Sequence, residues 1–375
     1  MRLTIKISCI LFLFSLPAQP VLAQGQKGLS LKVHYRPFYI PINGRPLVYY
    51  ELQLDNQTEY VVELQKLTIY GQSKKGFKPY RSVNGRELAA CTNMGNNQQK
   101  ALSVPAGEIC TMYVELEVEQ QAALTLRNEI RVSFRNQHKV NKRTLVAVTA
   151  PVKLVTPVVL GAPLAEGSWT AVYDPGWVSG HRRVFYADNQ RTYLPGRFAI
   201  DFIRVDSAGR YAMHNADSIA NWFGYRNRVL AAADGTVVSV QDNVAQSATV
   251  SGHIDPLPGE ASGNYISIKI AAGVYAFYEH LAPGSIRVKQ GQQIKKGDVI
   301  GLLGFTGQST GPHLHFHIAD RNSRLHAEGL PYVFERFTQV GAYPGLNNFG
   351  KEPWKSSRPR DVSKERPSSN SVIVF

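Results

Sequence analysis

Apolar and polar side chains alternate in short runs along most of this 375-residue chain. A period of two is what a strand produces, because its successive side chains point to opposite faces. Between residues 29 and 150 the runs are Leu29 to Tyr35, Leu47 to Leu54, Tyr60 to Ile69, Cys110 to Val118, Glu129 to Phe134 and Leu145 to Val155. They are rich in Val, Tyr, Leu and Thr, and turn residues such as Pro41-Ile42-Asn43-Gly44 and Val83-Asn84-Gly85 part them. Short strands at regular intervals predict an antiparallel, immunoglobulin-like sandwich over 24–155. The stretch 156–196 is less regular and reads as a connecting segment, made more than a linker by its aromatics and by Gly180-His181-Arg182-Arg183. Strand signals return from about Phe198. They include Asp234 to Val240, a hairpin of Asn264 to Ile270 with Val274 to His280, and a last strand from His313 to Ala319. The chain is therefore expected to be all-β with two domains, the second over 197–340, since its length exceeds the ~150 residues typical of one. Residues 351–375 are polar and rich in Pro, Ser, Lys and Arg, which predicts a disordered tail over 341–375.

The first residues change the compartment. Arg2 and Lys6 precede an apolar run from Ile7 to Leu16, and Val21-Leu22-Ala23 follows. A positive start, an apolar core too short to span a bilayer and a small residue at the cut predict a secretory signal over 1–23. No later stretch reaches the ~18 apolar residues of a membrane helix. The expectation is an exported protein without a transmembrane segment, periplasmic or otherwise held in the cell envelope. In that setting the pair Cys91 and Cys110 predicts a disulfide. The formal charge of +14, less the two positive charges of Arg2 and Lys6, is +12 after cleavage. Such a basic chain suits anionic partners, among them the wall of bacteria. The charge is scattered, so no nucleic-acid site is expected.

Candidate chemistry is concentrated in Gly307-Gln308-Ser309-Thr310-Gly311-Pro312-His313-Leu314-His315-Phe316. The glycines and proline stop any helix, and two histidines two apart then share one face of the strand. Paired imidazoles of this kind bind a metal or move protons. Asp234-Gly235-Thr236-Val237, Gly263-Asn264-Tyr265, Tyr278-Glu279-His280-Leu281 and the spaced glycines precede them in order.

This series resembles the lysostaphin-like (LytM-type) zinc endopeptidases over roughly 198–320. The resemblance implies an antiparallel barrel-sandwich fold with Zn2+ in a groove, and the peptides of bacterial peptidoglycan as substrate. It implies that Asp201 and His315 are zinc ligands and that His280 and His313 are an unligated pair serving the reaction. The family usually has its first zinc histidine four residues before the aspartate, where this chain has Arg197. Arginine stays protonated and cannot ligate zinc. Either the site is degenerate or another histidine completes it. His181, in Gly180-His181-Arg182-Arg183, is the preferred candidate, because the resemblance extends weakly to members that pair His-Arg-Arg with Arg-Phe-Ala-Ile-Asp. His214 and His253 are the alternatives. His317, further along the strand, is expected at a solvated strand end.

The expected function is a zinc-dependent endopeptidase that hydrolyses peptide cross-links of peptidoglycan. The alternative is a degenerate module that binds wall or regulates another wall hydrolase. The sandwich carries no visible chemistry and is expected to bind a protein partner or act as a spacer.

Overall fold

The computed structural model describes residues 28–94, 102–118, 123–136, 139–149, 152–153, 157–174, 176–177, 180–188, 191–253, 255–257 and 259–375. The secretory signal expected over 1–23 lies outside them. Among the described residues no helix is long and apolar enough to cross a membrane. The fold is all-β.

Two five-stranded sheets make up the amino-terminal half. One runs Leu29–Val33, Arg45–Asn56, Ile109–Glu117, Thr92–Met94, with Phe38–Ile42 also paired to Arg45–Asn56. The other runs Lys139–Val148, Leu126–Asn136, Val62–Ser73, Gly76–Asn84, with Ser103–Val104 on Val62–Ser73. They close on a common core that includes Leu64, Met112, Ile130 and Val132.

Strand Arg45–Asn56 is buried on both faces. Its even-numbered Val48, Tyr50, Leu52 and Leu54 join the sandwich core. Its odd-numbered Leu47 and Tyr49, with Phe38, Ile40 and Ile42, join a second core shared with Trp169, Phe198, Phe202, Phe316 and Tyr332. Burying a large apolar side chain contributes on the order of 1.5–3 kcal/mol. Five of them in a shared core bind the sandwich firmly to the rest of the chain, which a detached spacer would not require.

The carboxy-terminal half is built on a ten-stranded sheet. Its order is Gln293–Ile294, Gly235–Gln241, Asn264–Ala271, Val274–Leu281, Leu314–Ala319, Ile200–Arg204, Ser168–Val172, Ser371–Val374, Phe337–Ala342, Lys355–Val362.

One expectation is sharpened and two are corrected. The stretch 156–196 is more than a connection, for Ser168–Val172 lies inside this sheet between Ile200–Arg204 and Ser371–Val374, with Trp169 wholly buried. The tail 341–375 is ordered. Val372 and Ile373 are fully buried, and the buried Arg366 donates to the carbonyls of Phe198 and Ala199 at 2.8 and 3.1 Å. A few well-placed side chains anchor a segment whose composition suggests disorder. Cys91 and Cys110 are free thiols. Cys110 pairs in register with Met94, while the carbonyl of Cys91 accepts from the amide of Tyr113. Three residues along a strand is ~10 Å, beyond the ~7 Å that a disulfide spans between Cα atoms.

Candidate metal centre

Strands Ile200–Arg204, Leu314–Ala319 and Val274–Leu281 lie side by side, and their register aligns Asp201, His315 and Glu279 in one row. Alternation sends Ile200, Phe202, Leu314, Phe316 and Tyr278 into the core. The opposite face therefore carries Asp201, His313, His315 and Glu279.

His280 would fall on the core face by the same count. A bulge corrects this: Tyr278 pairs with Ile266 and Leu281 with Asn264, leaving two residues of one strand opposite one of the other. His280 takes a left-handed φ of 65° there. Extra residues of this kind re-aim side chains beside sites. Its ring comes to rest 4.8 Å from that of His313, centroid to centroid.

His181 reaches the same place from a short 3-10 turn, His181–Arg183. That turn packs on another, Pro195–Phe198, which leads directly into the strand of Asp201. Gly196 is required by the packing. A Cβ on it would stand 2.9 Å from both the Cβ and the carbonyl oxygen of His181.

His181 Nε2 lies 2.8 Å from Asp201 Oδ2, and His315 Nδ1 lies 2.9 Å from Asp201 Oδ1. One ligand atom from each of these three residues falls within 4.8 Å of the others, a group that could hold a metal ion. His313 Nε2 is 3.4 Å from Asp201 Oδ1. Burial alone would push the Asp201 carboxyl up, but His181 and then His313 hold it well below the usual carboxylate range. Burial disfavours the charged form of His181, and the adjacent Asp201 outweighs this and raises its pKa. Asp201 acts on His313 in the same way. His280 is pushed well down by burial and by its neighbours His313 and His315, so it is a neutral imidazole.

The ring nitrogens are sorted by their partners. The Nδ1–H of His280 donates to the carbonyl of Thr306 at 2.8 Å, and that of His313 donates to the carbonyl of Gly311 at 2.8 Å. Nε2 of each ring is thereby left facing the site. Two observations show that the donor set fits a cation: both oxygens of the half-buried Asp201 carboxylate face imidazole nitrogens, and the remote Nε2 of His315 has a partner of its own, His317 Nδ1 at 3.1 Å.

Of the alternatives, His214 is exposed, and His253 is engaged with the carbonyl of Gly307 at 2.8 Å. Neither belongs to the group around Asp201. Arg197 points away into ion pairs with Glu51 at 2.9 Å and Glu328 at 2.8 Å. His317 is not a solvated strand end. It is buried and stacked on Phe277 at 4.8 Å, because Leu314–Ala319 is an interior strand.

Glu279 was given no role from the sequence, and His317 was placed at a solvated strand end. Parity along their strands, two residues from Phe277 and His315 respectively, was the available signal. The bulge at His280 had none.

Residues 214–327 match Peptidase family M23. That match takes in less than a third of the chain. The match includes His280, His313 and His315 but begins after His181 and Asp201. Among curated relatives, peptidoglycan DD-endopeptidase ShyB of Vibrio cholerae is 34% identical over 32% of this chain and 23% of its own length. An uncharacterized metalloprotease of Haemophilus influenzae is 40% identical over 25% of this chain and 16% of its own. DD-carboxypeptidase/endopeptidase Mpg of Neisseria meningitidis is 48% identical over 14% and 12%. The chain thus spans less than a quarter of the length of these relatives. A solved zinc-containing peptidase of Vibrio cholerae is 16% identical over 82% of this chain and 86% of its own, with a TM-score of 0.27, too low to bear on the site.

Proposed function

We propose that this chain is an exported zinc-dependent endopeptidase that hydrolyses peptide cross-links of bacterial peptidoglycan. The observation that carries the proposal is the convergence of His181, Asp201 and His315 on one point beside His280 and His313. The M23 match and the DD-endopeptidase named among the chain's relatives support the reaction class and the substrate.

On this reading His181, Asp201 and His315 hold the zinc. Zinc bound there supplies a Lewis acid that brings the pKa of water to about 7. Neutral His280, with Nδ1–H committed to Thr306, has Nε2 free to take the proton of the attacking water and return it to the leaving amine. His313, protonated beside Asp201 and oriented by Gly311, presents Nε2–H to negative charge developing on the peptide carbonyl oxygen. Arg197 does not favour the degenerate alternative, because it is occupied by Glu51 and Glu328 and His181 stands where a histidine ligand is needed.

The test is the full chain loaded with one equivalent of zinc and incubated with purified peptidoglycan. Release of cross-link peptides that stops with a chelator is expected. Wall left intact by zinc-loaded protein would overturn the reading in favour of a binding module.

A further inference from the structure

We infer that Glu51, a residue of the amino-terminal sandwich, is a positioning residue for the metal centre more than 100 residues away in sequence. The inference rests on the reading of His181, Asp201 and His315 as the metal ligands.

Glu51 belongs to the odd-numbered series of strand Arg45–Asn56, which faces the carboxy-terminal half, and it is wholly buried. Its two oxygens go to two different turns. Oε1 accepts from Nε of Arg182 at 3.4 Å and Oε2 from Nε of Arg197 at 2.9 Å. Arg182 directly follows His181 in the turn His181–Arg183. Arg197 lies in the turn Pro195–Phe198, four residues before Asp201. A single carboxylate thus ties together the two turns whose packing, through Gly196, sets His181 Nε2 against Asp201 Oδ2.

The surroundings hold this carboxylate ionised and immobile. Burial would push Glu51 up, but Arg197 and Arg182 outweigh it and lower its pKa. Arg182 is fixed on its other side by the carbonyl of Val114 at 2.8 Å and by the ring of Tyr49, 4.5 Å below its guanidinium. Arg197 is fixed by Glu328 at 2.8 Å and by the carbonyl of Gly329 at 3.2 Å. Both arginines are buried, so neither turn can shift without stranding a charge away from water. Three-residue turns have little rigidity of their own, in contrast to the strand of His315. The sandwich supplies what the turn lacks, and the M23 match, which spans residues 214–327, excludes every member of this network.

The test is the affinity of the full chain for Co(II), with the visible spectrum of the bound ion as the record of its geometry. Glu51→Gln keeps the shape and removes the charge; binding is expected to weaken by about 10 to 100-fold, as for other residues that orient metal ligands, and the spectrum to change. Arg182→Lys keeps the charge and gives up the planar fork; it is expected to weaken binding in the same direction, and it decides the matter if Glu51→Gln does not fold. Ile130→Val, in the sandwich core away from the interface, is expected to lower the melting temperature and leave the Co(II) constant unchanged, separating positioning from mere stability. Folded Glu51→Gln, or folded Arg182→Lys in its absence, that binds Co(II) as tightly as wild type overturns this inference alone. Wild-type protein that binds no Co(II) overturns the metal reading beneath it.

Discussion

His315 and His181 meet the same carboxylate from two different kinds of support. His315 sits on an interior strand, with hydrogen-bonded neighbours on both sides and a core-facing Leu314 and Phe316 around it. His181 sits on a single 3-10 turn, held by a close glycine contact and by a buried ion-pair network that reaches into another half of the molecule. The first kind is local and repeats along the chain, so a short motif announces it. The second is assembled from parts 131 residues apart in sequence, and its strength depends on all of them being present.

The difference can be broken most severely at the strand. His315→Ala is expected to abolish both metal binding and hydrolysis, since two ligands do not hold zinc at neutral pH. Zinc content by elemental analysis checks it; an equivalent of zinc retained by the variant would deny His315 its role. Next in size is His280→Ala, expected to keep the metal and lower kcat by ~100 to 10,000-fold, the range of a lost acid–base group. Comparison of zinc content with kcat separates this from a ligand loss.

On the turn side the effects are graded. Gly196→Ala forces a methyl to within 2.9 Å of His181. Overpacking of this kind costs about 1–3 kcal/mol, and the shift of His181 is expected to weaken zinc binding while denaturant melts register the lost stability. A variant as stable and as zinc-avid as wild type would show that the contact relaxes freely.

Smaller still is an effect of acid. Glu51 titrates lower in the folded chain than in the unfolded one, so the folded state binds its proton less readily. The stability it contributes is complete above the ordinary glutamate value of 4.5 and declines as the pH falls below it. Glu51→Gln is expected to flatten that part of the melting curve against pH. Smallest is the effect of reductant: with Cys91 and Cys110 as free thiols, dithiothreitol should leave the melting temperature unchanged.

Much of the strand half was legible. Alternation predicted an all-β chain, and Gly311-Pro312-His313-Leu314-His315 marked a strand beginning at the site. The row formed by Asp201, His315 and Glu279 was not, because register between distant strands is a tertiary property. His280 pointed to its place by motif, while parity alone would have turned it into the core; only the bulge explains both. The tail misled because composition averages over residues, and Arg366, Val372 and Ile373 suffice to fasten it. The cysteine pair misled for a similar reason, since an even count carries no distance. Arg197 stood out in the sequence for what it replaces, whereas its buried ion pairs with Glu51 and Glu328 depend on residues far away in the chain.

The central claim is that one metal ion is shared by a turn-borne and a strand-borne imidazole across Asp201. An anomalous difference map at the zinc edge, from crystals of the full chain, measures this directly. A single peak within ~2.0 to 2.2 Å of a His181 nitrogen, a His315 nitrogen and an Asp201 oxygen is the expected result. A peak coordinated by His315 and Asp201 with His181 turned away, or one at other residues altogether, would contradict it.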